Sequence, residues 1–206
     1  MTLQLVSLLT FALAVALATA SPGPTIAALL ARVLGRGSAG MPAFCAGLVV
    51  GDMVWLGVAV FGLAVIAQAA QPVFAVVKYA GAAYLLWLAW RLWTAPATVA
   101  EATGTLPPGE GWRLFAGGLA LALGNPKTMI FYLSLAPALV DLSHLAWSEF
   151  AVLQATLVVV YGLVLFAYVH GAARARRLVR DSRTLRLVNR ATGGVMAGAA
   201  VVVATR

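Results

Sequence analysis

Cysteine, histidine and acidic residues are scarce in this chain of 206 residues, which contains one cysteine, two histidines and six acidic residues. The single cysteine, Cys45, excludes an internal disulfide. His144 and His170 lie at the edges of apolar stretches, and the chain has no Gly-x-Ser-x-Gly motif. A buried enzyme centre would need a nucleophile with a base, or a metal cluster. We therefore expect a protein that is not an enzyme and that uses no cofactor.

Lysine is equally scarce, and its placement is informative. Of the 14 basic residues only Lys78 and Lys127 are lysines, and both lie inside long apolar stretches, whereas the arginines stand at or beyond the ends of such stretches. Asp52 is a carboxylate at similar depth. A charge near the centre of a bilayer costs about 2.5–3.5 kcal/mol on insertion scales. Residues of this kind commonly mark the path of a substrate, an ion or a proton.

Long apolar runs, by contrast, are abundant. Hydrophobic residues make up 63% of the chain and charged residues only 10%. Several runs reach about 20 residues, the length of a helix that spans a hydrocarbon core of about 30 Å. We therefore predict an all-α polytopic membrane protein. Its six predicted spans cover residues 3–31, 41–66, 72–94, 113–140, 150–170 and 187–205.

The distribution of positive charge predicts the orientation. Basic residues occur in the connections after the first, third and fifth spans, and the last of these carries seven arginines between positions 174 and 190. Because cytoplasmic loops are enriched in basic residues, we place these connections in the cytoplasm and both termini outside the bacterial inner membrane. Topology and contact with anionic membrane lipids then account for the net charge of +8, and no nucleic-acid partner is needed.

The loop 96–112 divides the single membrane domain into two repeats of three spans, residues 1–95 and 113–206. Because each repeat crosses the membrane an odd number of times, the second repeat must have the opposite orientation in the membrane to the first. Such a 3+3 inverted repeat is a common plan of secondary transporters. In the last span, Gly194-x-x-x-Gly198 is typical of a helix-packing face or of a homodimer interface.

A proline motif interrupts the first span of each repeat. A proline cannot donate the hydrogen bond that a helix makes to the carbonyl four residues earlier. Pro22, Pro24 and Pro126 are therefore expected to free the carbonyls of Ala18, Ala20 and Ala122. At membrane depth, freed carbonyls are tolerated only against protein or a water-lined cavity. The prolines either only bend spans 1 and 4 or, as we favour, break both helices to form a substrate site. The candidate site residues are Ser21, Pro22, Gly23, Pro24, Thr25, Asn125, Pro126 and Lys127.

The charged residues have candidate roles within that site. Lys127, near the middle of its span, is the best candidate for holding a substrate carboxylate. Asp52 either takes up a coupling proton or a substrate ammonium group, or it neutralises Lys78 or Lys127. Lys78 can also extend its ammonium group to the outer surface. The secondary candidates for a polar lining are Lys78, Tyr79, Tyr84 and Gln154.

Four motifs occur in the order Ser21-Pro22-Gly23-Pro24, Gly47-x-x-x-Gly51-Asp52, Lys78-Tyr79-x-Gly81-Ala82-Ala83-Tyr84-Leu85 and Gly124-Asn125-Pro126-Lys127. The set resembles the lysine exporter (LysE/RhtB) family of bacterial amino-acid efflux proteins, across essentially the whole chain. The resemblance implies export of amino acids or small derivatives from the cytoplasm in exchange for protons. That family often has Asn after the second proline of the first motif, where this chain has Thr25, so the preferred substrate is left open.

Two other functions are compatible with parts of the sequence. Export of metal or other inorganic cations is disfavoured, because one carboxylate, one cysteine and no histidine lie at mid-span, too few ligands for a dehydrated divalent ion. A role outside transport, such as lipid handling or a structural function in the membrane, is not excluded by any residue pattern.

Overall fold

The computed structural model describes residues 5–21, 23–61, 109–135 and 146–178, together with isolated positions between 79 and 94 and between 187 and 201. The regular structure of these residues is helical, which confirms the predicted all-α class. A π-helical turn, Phe131–Leu135, follows α5 directly. In chain order the described helices are α1 (Leu5–Ala20), α2 (Pro24–Arg36), α3 (Met41–Val60), α4 (Glu110–Leu123), α5 (Pro126–Ile130) and α6 (Trp147–Leu178).

Two of the described helices, α3 and α6, are each long and apolar enough to cross a membrane. α1 and α2 satisfy the same criteria only as a pair bent by 56°, and α4 does so together with Pro126–Leu133 at a bend of 55°. The described residues therefore contain two candidate spans, or up to four when each bent pair counts as one span. The third and sixth predicted spans, 72–94 and 187–205, lie outside the continuously described residues.

Two of the described helices extend beyond the predicted spans and into the basic segments. α2 runs through Arg32 to Arg36, beyond the predicted end at residue 31. α6 runs to Leu178 instead of ending at 170, so that Arg174 lies on a helix rather than in a loop. Hydropathy marks where the apolar residues stop, whereas arginine is a good helix former and its charge interacts favourably with the C-terminal end of a helix.

α3 and α4 pack with their backbones in contact. A Cβ atom at Gly47 of α3 would overlap the carbonyl oxygen of Phe115, and one at Gly118 of α4 would overlap the carbonyl oxygen of Phe44. Small residues spaced like Gly47 and Gly51 allow such a close approach of two helix backbones. Asp52 follows that motif directly, so the crossing of α3 and α4 fixes the direction in which the acid points.

The position of Asp52 within α3 places it deep in the bundle. α3 begins at Met41 and ends at Val60. The predicted span extends to residue 66, and residues 62–66 lie outside the described residues. At about 1.5 Å per residue, Asp52 is about 16 Å from the first end of the helix and about 12 Å from the second. The carboxylate is therefore near the middle of a span, as its sequence context predicts.

Side-chain contacts join the helices at both ends of the bundle. At the end predicted to lie outside, the ring of Phe61 is 5.1 Å from the rings of both Trp147 and Phe150. At the end predicted to lie in the cytoplasm, Arg32 of α2 and Glu110 of α4 form an ion pair with a nitrogen–oxygen distance of 3.3 Å. The interruptions between α1 and α2 and between α4 and α5 lie between these two groups of contacts.

The core of the described bundle consists of two apolar clusters. α3 and α6 contribute to both, so these two long helices hold the shorter ones in place. The first cluster includes Leu29, Leu48, Leu121 and Leu165, and the second includes Phe11, Leu56, Tyr132, Leu153 and Leu157.

We expect Gly47→Ala to destabilise the protein, because the added methyl group meets backbone atoms of α4 rather than a flexible side chain. Overpacking costs about 1–3 kcal/mol, and about 1 kcal/mol lowers the thermal midpoint of a protein of this size by about 2–4 °C. Melting in detergent measures the loss. The matched control is Gly57→Ala on the same helix, where the new atom would be 4.0 Å from Phe150 Cζ. Equal losses in the two variants would contradict the described contact.

Candidate functional site

The two helix interruptions meet at a buried hydrogen bond between Asn125 and Thr25. Asn125 precedes α5, and its Oδ1 atom accepts a bond of 3.1 Å from the backbone N–H of Lys127. Asparagine is a preferred residue at this capping position, and Pro126 suits the first position of a helix. The Nδ2 atom of Asn125 donates a bond of 2.9 Å to the hydroxyl of Thr25 at the start of α2. The helix cap is thereby also the link between the two interruptions.

The side chain of Lys127 reaches across to the other interruption. Its ammonium group donates a hydrogen bond of 2.9 Å to the backbone carbonyl of Ser21, just after the end of α1. It passes close to Gly23, where a Cβ atom would be 3.5 Å from Lys127 Cδ and 3.7 Å from Nζ. An ammonium group at this depth therefore has a neutral carbonyl oxygen as its partner.

Asp52 is held by a tyrosine from the segment that follows α5. The hydroxyl of Tyr132 donates a hydrogen bond of 3.2 Å to Asp52 Oδ2, and only 3% of Asp52 is exposed. Tyr132 is fully buried and belongs to the π-helical turn. Turns of this kind are frequent at functional sites because they change which side chains share a face of the helix.

The sequence left open whether Asp52 pairs with Lys78 or with Lys127. Among the described residues, Asp52 bonds to Tyr132 and Lys127 bonds to Ser21, with no ion pair between the acid and the lysine. Lys78 lies outside the described residues. In this conformation Asp52 and Lys127 are therefore not paired, and the two side chains present separate groups to the site.

A small cavity of about 30 Å³ lies between these groups. A cavity needs about 10–15 Å³ of such space to hold one water molecule, so this one has room for water but not for an amino acid. Within the described ranges, no three histidine, cysteine, aspartate or glutamate residues are grouped so as to hold a metal ion. The cavity is lined by Ala18, Thr19, Ser21, Gly23, Thr25, Ile26, Asp52, Asn125, Lys127, Thr128, Phe131, Tyr132 and Tyr161.

Of the ten predicted site residues that the structure describes, six line the cavity. Gln154 does not line the cavity; its amide instead donates a hydrogen bond of 3.0 Å to the carbonyl of Met53, between α6 and α3. Tyr79 is 57% exposed and is likewise absent from the lining. Pro22, Lys78 and Tyr84 lie outside the described residues. Pro24 and Pro126 begin α2 and α5, and the predicted residues that do line the cavity are Ser21, Gly23, Thr25, Asp52, Asn125 and Lys127.

Several lining residues were not predicted from the sequence. Phe131 follows Lys127 by four residues, so helical spacing alone could have placed it on the same face. Tyr132 follows by five residues, a spacing that an α-helix turns away, and its position depends on the π-helical turn. No signal in the sequence indicated that turn, so the partner of Asp52 was missed.

The sequence of this chain is similar to the sequences of several known membrane proteins. A family profile described as LysE type translocator matches residues 16–206. An uncharacterized membrane protein of Vibrio cholerae is 31% identical, covering 69% of this chain and 68% of its own length. A homoserine/homoserine lactone efflux protein of Salmonella typhi is 27% identical, covering 85% and 84%. A leucine efflux protein of Salmonella choleraesuis is also 27% identical, covering 89% and 88%. No solved structure matches the chain.

We expect Thr25→Val to lower the thermal midpoint, because it removes the hydroxyl that accepts the bond from Asn125 while keeping the shape of the side chain. A buried polar group left without its partner costs about 1–3 kcal/mol, which corresponds to a fall of about 2–4 °C for each kcal/mol. Thr25→Ser, which keeps the hydroxyl, is the control in the same melting measurement. Equal melting of the valine and serine variants would show that the bond contributes nothing.

Proposed function

This chain belongs to the LysE type translocator family, and from that premise we propose that it is a secondary active exporter of amino acids or small amino-acid derivatives. The relatives named leucine efflux protein and homoserine/homoserine lactone efflux protein support this class of substrate. We place the protein in the bacterial inner membrane, with transport directed out of the cytoplasm and coupled to protons.

The observation that carries the proposal is a single cavity lined by both an ammonium group and a carboxyl group. Lys127 supplies the first and Asp52 the second, where the two interruptions meet. An amino acid carries one group of each kind. Its carboxylate can therefore meet the ammonium group of Lys127, and its ammonium group can meet the carboxyl group of Asp52. Burying a charge in a bilayer is costly unless it is paired. The site therefore favours a substrate that supplies both charges over one that supplies only one.

Lys127 is the proposed ligand of the substrate carboxylate. Its ammonium group is bonded to the neutral carbonyl of Ser21. A hydrogen bond between two ionised groups is about twice as strong as a neutral one, so an arriving carboxylate would displace the carbonyl. That exchange releases the contact between α5 and the end of α1, and it links substrate binding to the geometry of the interruption.

Asp52 is the proposed acceptor of the substrate ammonium group or of the coupling proton. Its hydrogen bond from Tyr132 steadies the carboxylate, and its deep position limits access to one side of the membrane at a time. Proton-coupled transport requires a group that binds a proton on one side of the membrane and releases it on the other, and a carboxyl group can do so. Tyr132 would keep the acid pointing into the cavity in both states.

Transport is proposed to proceed by alternating access, because the cavity of about 30 Å³ must widen before it admits an amino acid. Opening toward the cytoplasm would break the ion pair between Arg32 and Glu110. Opening toward the outside would separate the aromatic rings of Phe61, Trp147 and Phe150. Each set of contacts thus serves as the barrier on its own side of the site.

The membrane arrangement is also part of the proposal. We propose six spans with both termini outside, in one domain composed of the repeats 1–95 and 113–206 and the cytoplasmic linker 96–112. The bends of 56° and 55°, at corresponding proline motifs, support two broken spans in an inverted repeat.

We expect cells that overexpress the protein to gain resistance to toxic analogues of one class of amino acid, and Asp52→Asn to abolish that resistance. The amide keeps the size of the side chain but cannot carry the coupling proton. The effect on export is measured as efflux of the labelled amino acid, relative to the amount of each variant protein in the membrane. Glu149→Gln, an acidic residue outside the cavity, serves as the control. Full resistance in the Asp52→Asn variant would remove Asp52 from the mechanism, and no resistance to any analogue in the unmodified protein would contradict amino-acid export.

We expect Lys127→Met to raise the KM for the exported amino acid by about tenfold or more, because a hydrogen bond to a charged group contributes about 1.5–3 kcal/mol and about 1.4 kcal/mol is a factor of ten. Initial rates in proteoliposomes over a range of substrate concentrations measure KM. An unchanged KM would show that the ammonium group does not bind the substrate carboxylate.

A further inference from the structure

A proline within a membrane span leaves one carbonyl oxygen without its helical donor, and the bilayer core offers no water in its place. In this chain the carbonyl four residues before Pro24 belongs to Ala20, and the carbonyl four residues before Pro126 belongs to Ala122. Both oxygens accept a hydrogen bond from a side chain of a different helix. Neither donor was singled out by the sequence, and neither lines the cavity.

The first donor is Trp55 on α3. Its indole N–H donates to the carbonyl of Ala122, at the end of α4, over 3.3 Å. The backbone N–H of Asn125 also reaches this oxygen over 3.3 Å. The carbonyl that precedes the second interruption is therefore capped by a side chain of α3 as well as by its own turn.

The second donor is Tyr168 on α6. Its hydroxyl donates to the carbonyl of Ala20, at the end of α1, over 2.7 Å. The next carbonyl along the chain, that of Ser21, accepts the ammonium group of Lys127. Two consecutive carbonyls at the first interruption are thus bonded to side chains from the predicted second repeat.

The bonds from Trp55 to Ala122 and from Tyr168 to Ala20 are arranged in the same way. In each, an aromatic donor on the second span of one predicted repeat caps the carbonyl freed by proline on the first span of the other. We propose that Trp55 and Tyr168 are positioning residues of the exporter, which fix the shape of the two interruptions at the substrate site. This inference rests on the proposed function, because it assigns the two residues to the same site.

Their effect on transport is indirect. Ala122 lies three residues before Asn125, and Ala20 lies next to Ser21, so each capped carbonyl adjoins a polar group of the cavity. Without the cap, the carbonyl would turn toward another donor and carry its neighbour with it. Lys127 and Asp52, the proposed ligands of the substrate, are unchanged in these variants. Loss of the cap should therefore lower the maximum rate more than it changes KM.

A double-mutant cycle tests the cap without reference to transport. We expect Tyr168→Phe to lower the thermal midpoint by about 2–4 °C in the unmodified protein, the effect of one lost hydrogen bond. Pro24→Ala restores a backbone N–H that can bond to Ala20. In that background, the loss on Tyr168→Phe should shrink to less than half, because the carbonyl already has a donor. Equal losses in both backgrounds would overturn the proposal.

A second cycle pairs Trp55→Phe with Pro126→Ala. Replacing the indole also removes ring volume, but that cost is present in both backgrounds and cancels in the cycle. The same non-additivity is expected, and additive losses would overturn the assignment of Trp55. This cycle also decides the question if the Pro24→Ala variant does not fold.

Transport by the single variants gives the functional readout. Tyr168→Phe and Trp55→Phe should each lower the maximum export rate about fivefold, the effect of about one lost hydrogen bond, with KM changed less than twofold. Trp112→Phe, at an indole that is 70% exposed, should leave both values unchanged. Unaltered rates alongside non-additive melting would overturn the positioning role. If the unmodified protein exports no amino acid, the proposed function fails, whereas the melting cycles still report on the caps.

Discussion

The described structure depends on supplying hydrogen-bond donors to backbone carbonyls within the predicted membrane spans. Proline removes the helical donor at both interruptions, and three side chains replace it or bond beside it. Lys127 bonds to Ser21, Tyr168 to Ala20 and Trp55 to Ala122. Because each donor comes from a different helix than its acceptor, the same bonds that make an interrupted helix tolerable also fix how the helices are arranged around it.

Close packing of α3 and α4 complements these bonds. With glycine at the crossing, the two backbones touch, and no side chain can slide between them. Asp52 lies immediately beyond this contact, where its carboxylate meets the hydroxyl of Tyr132. The rigid crossing therefore holds the acid, while the residues around the interruptions hold the lysine. The site therefore contains Asp52 on the tightly packed α3. It also contains Lys127, whose hydrogen bond to the carbonyl of Ser21 can be exchanged for another.

Much of this arrangement could be predicted from the sequence, because intramembrane charges and proline motifs are visible without coordinates. Asp52, Thr25, Asn125 and Lys127, which the sequence singled out, line one cavity. The partners of the charged groups could not be predicted, since they depend on helix rotation and on the π-helical turn that brings in Tyr132. Helices extend beyond the predicted spans where arginines follow the apolar segment, because hydropathy records solubility in lipid rather than backbone conformation.

The small size of the central cavity has a consequence for the cell. Between Asp52 and Lys127 the described part of the chain leaves about 30 Å³, too little for an amino acid to pass in this conformation. In the proposed exporter, so narrow a site would restrict leakage of ions between transport cycles and so help an energised membrane to keep its voltage. Under the same proposal, a cytoplasmic amino acid would leave the cell only after its carboxylate displaced Lys127 from the carbonyl of Ser21.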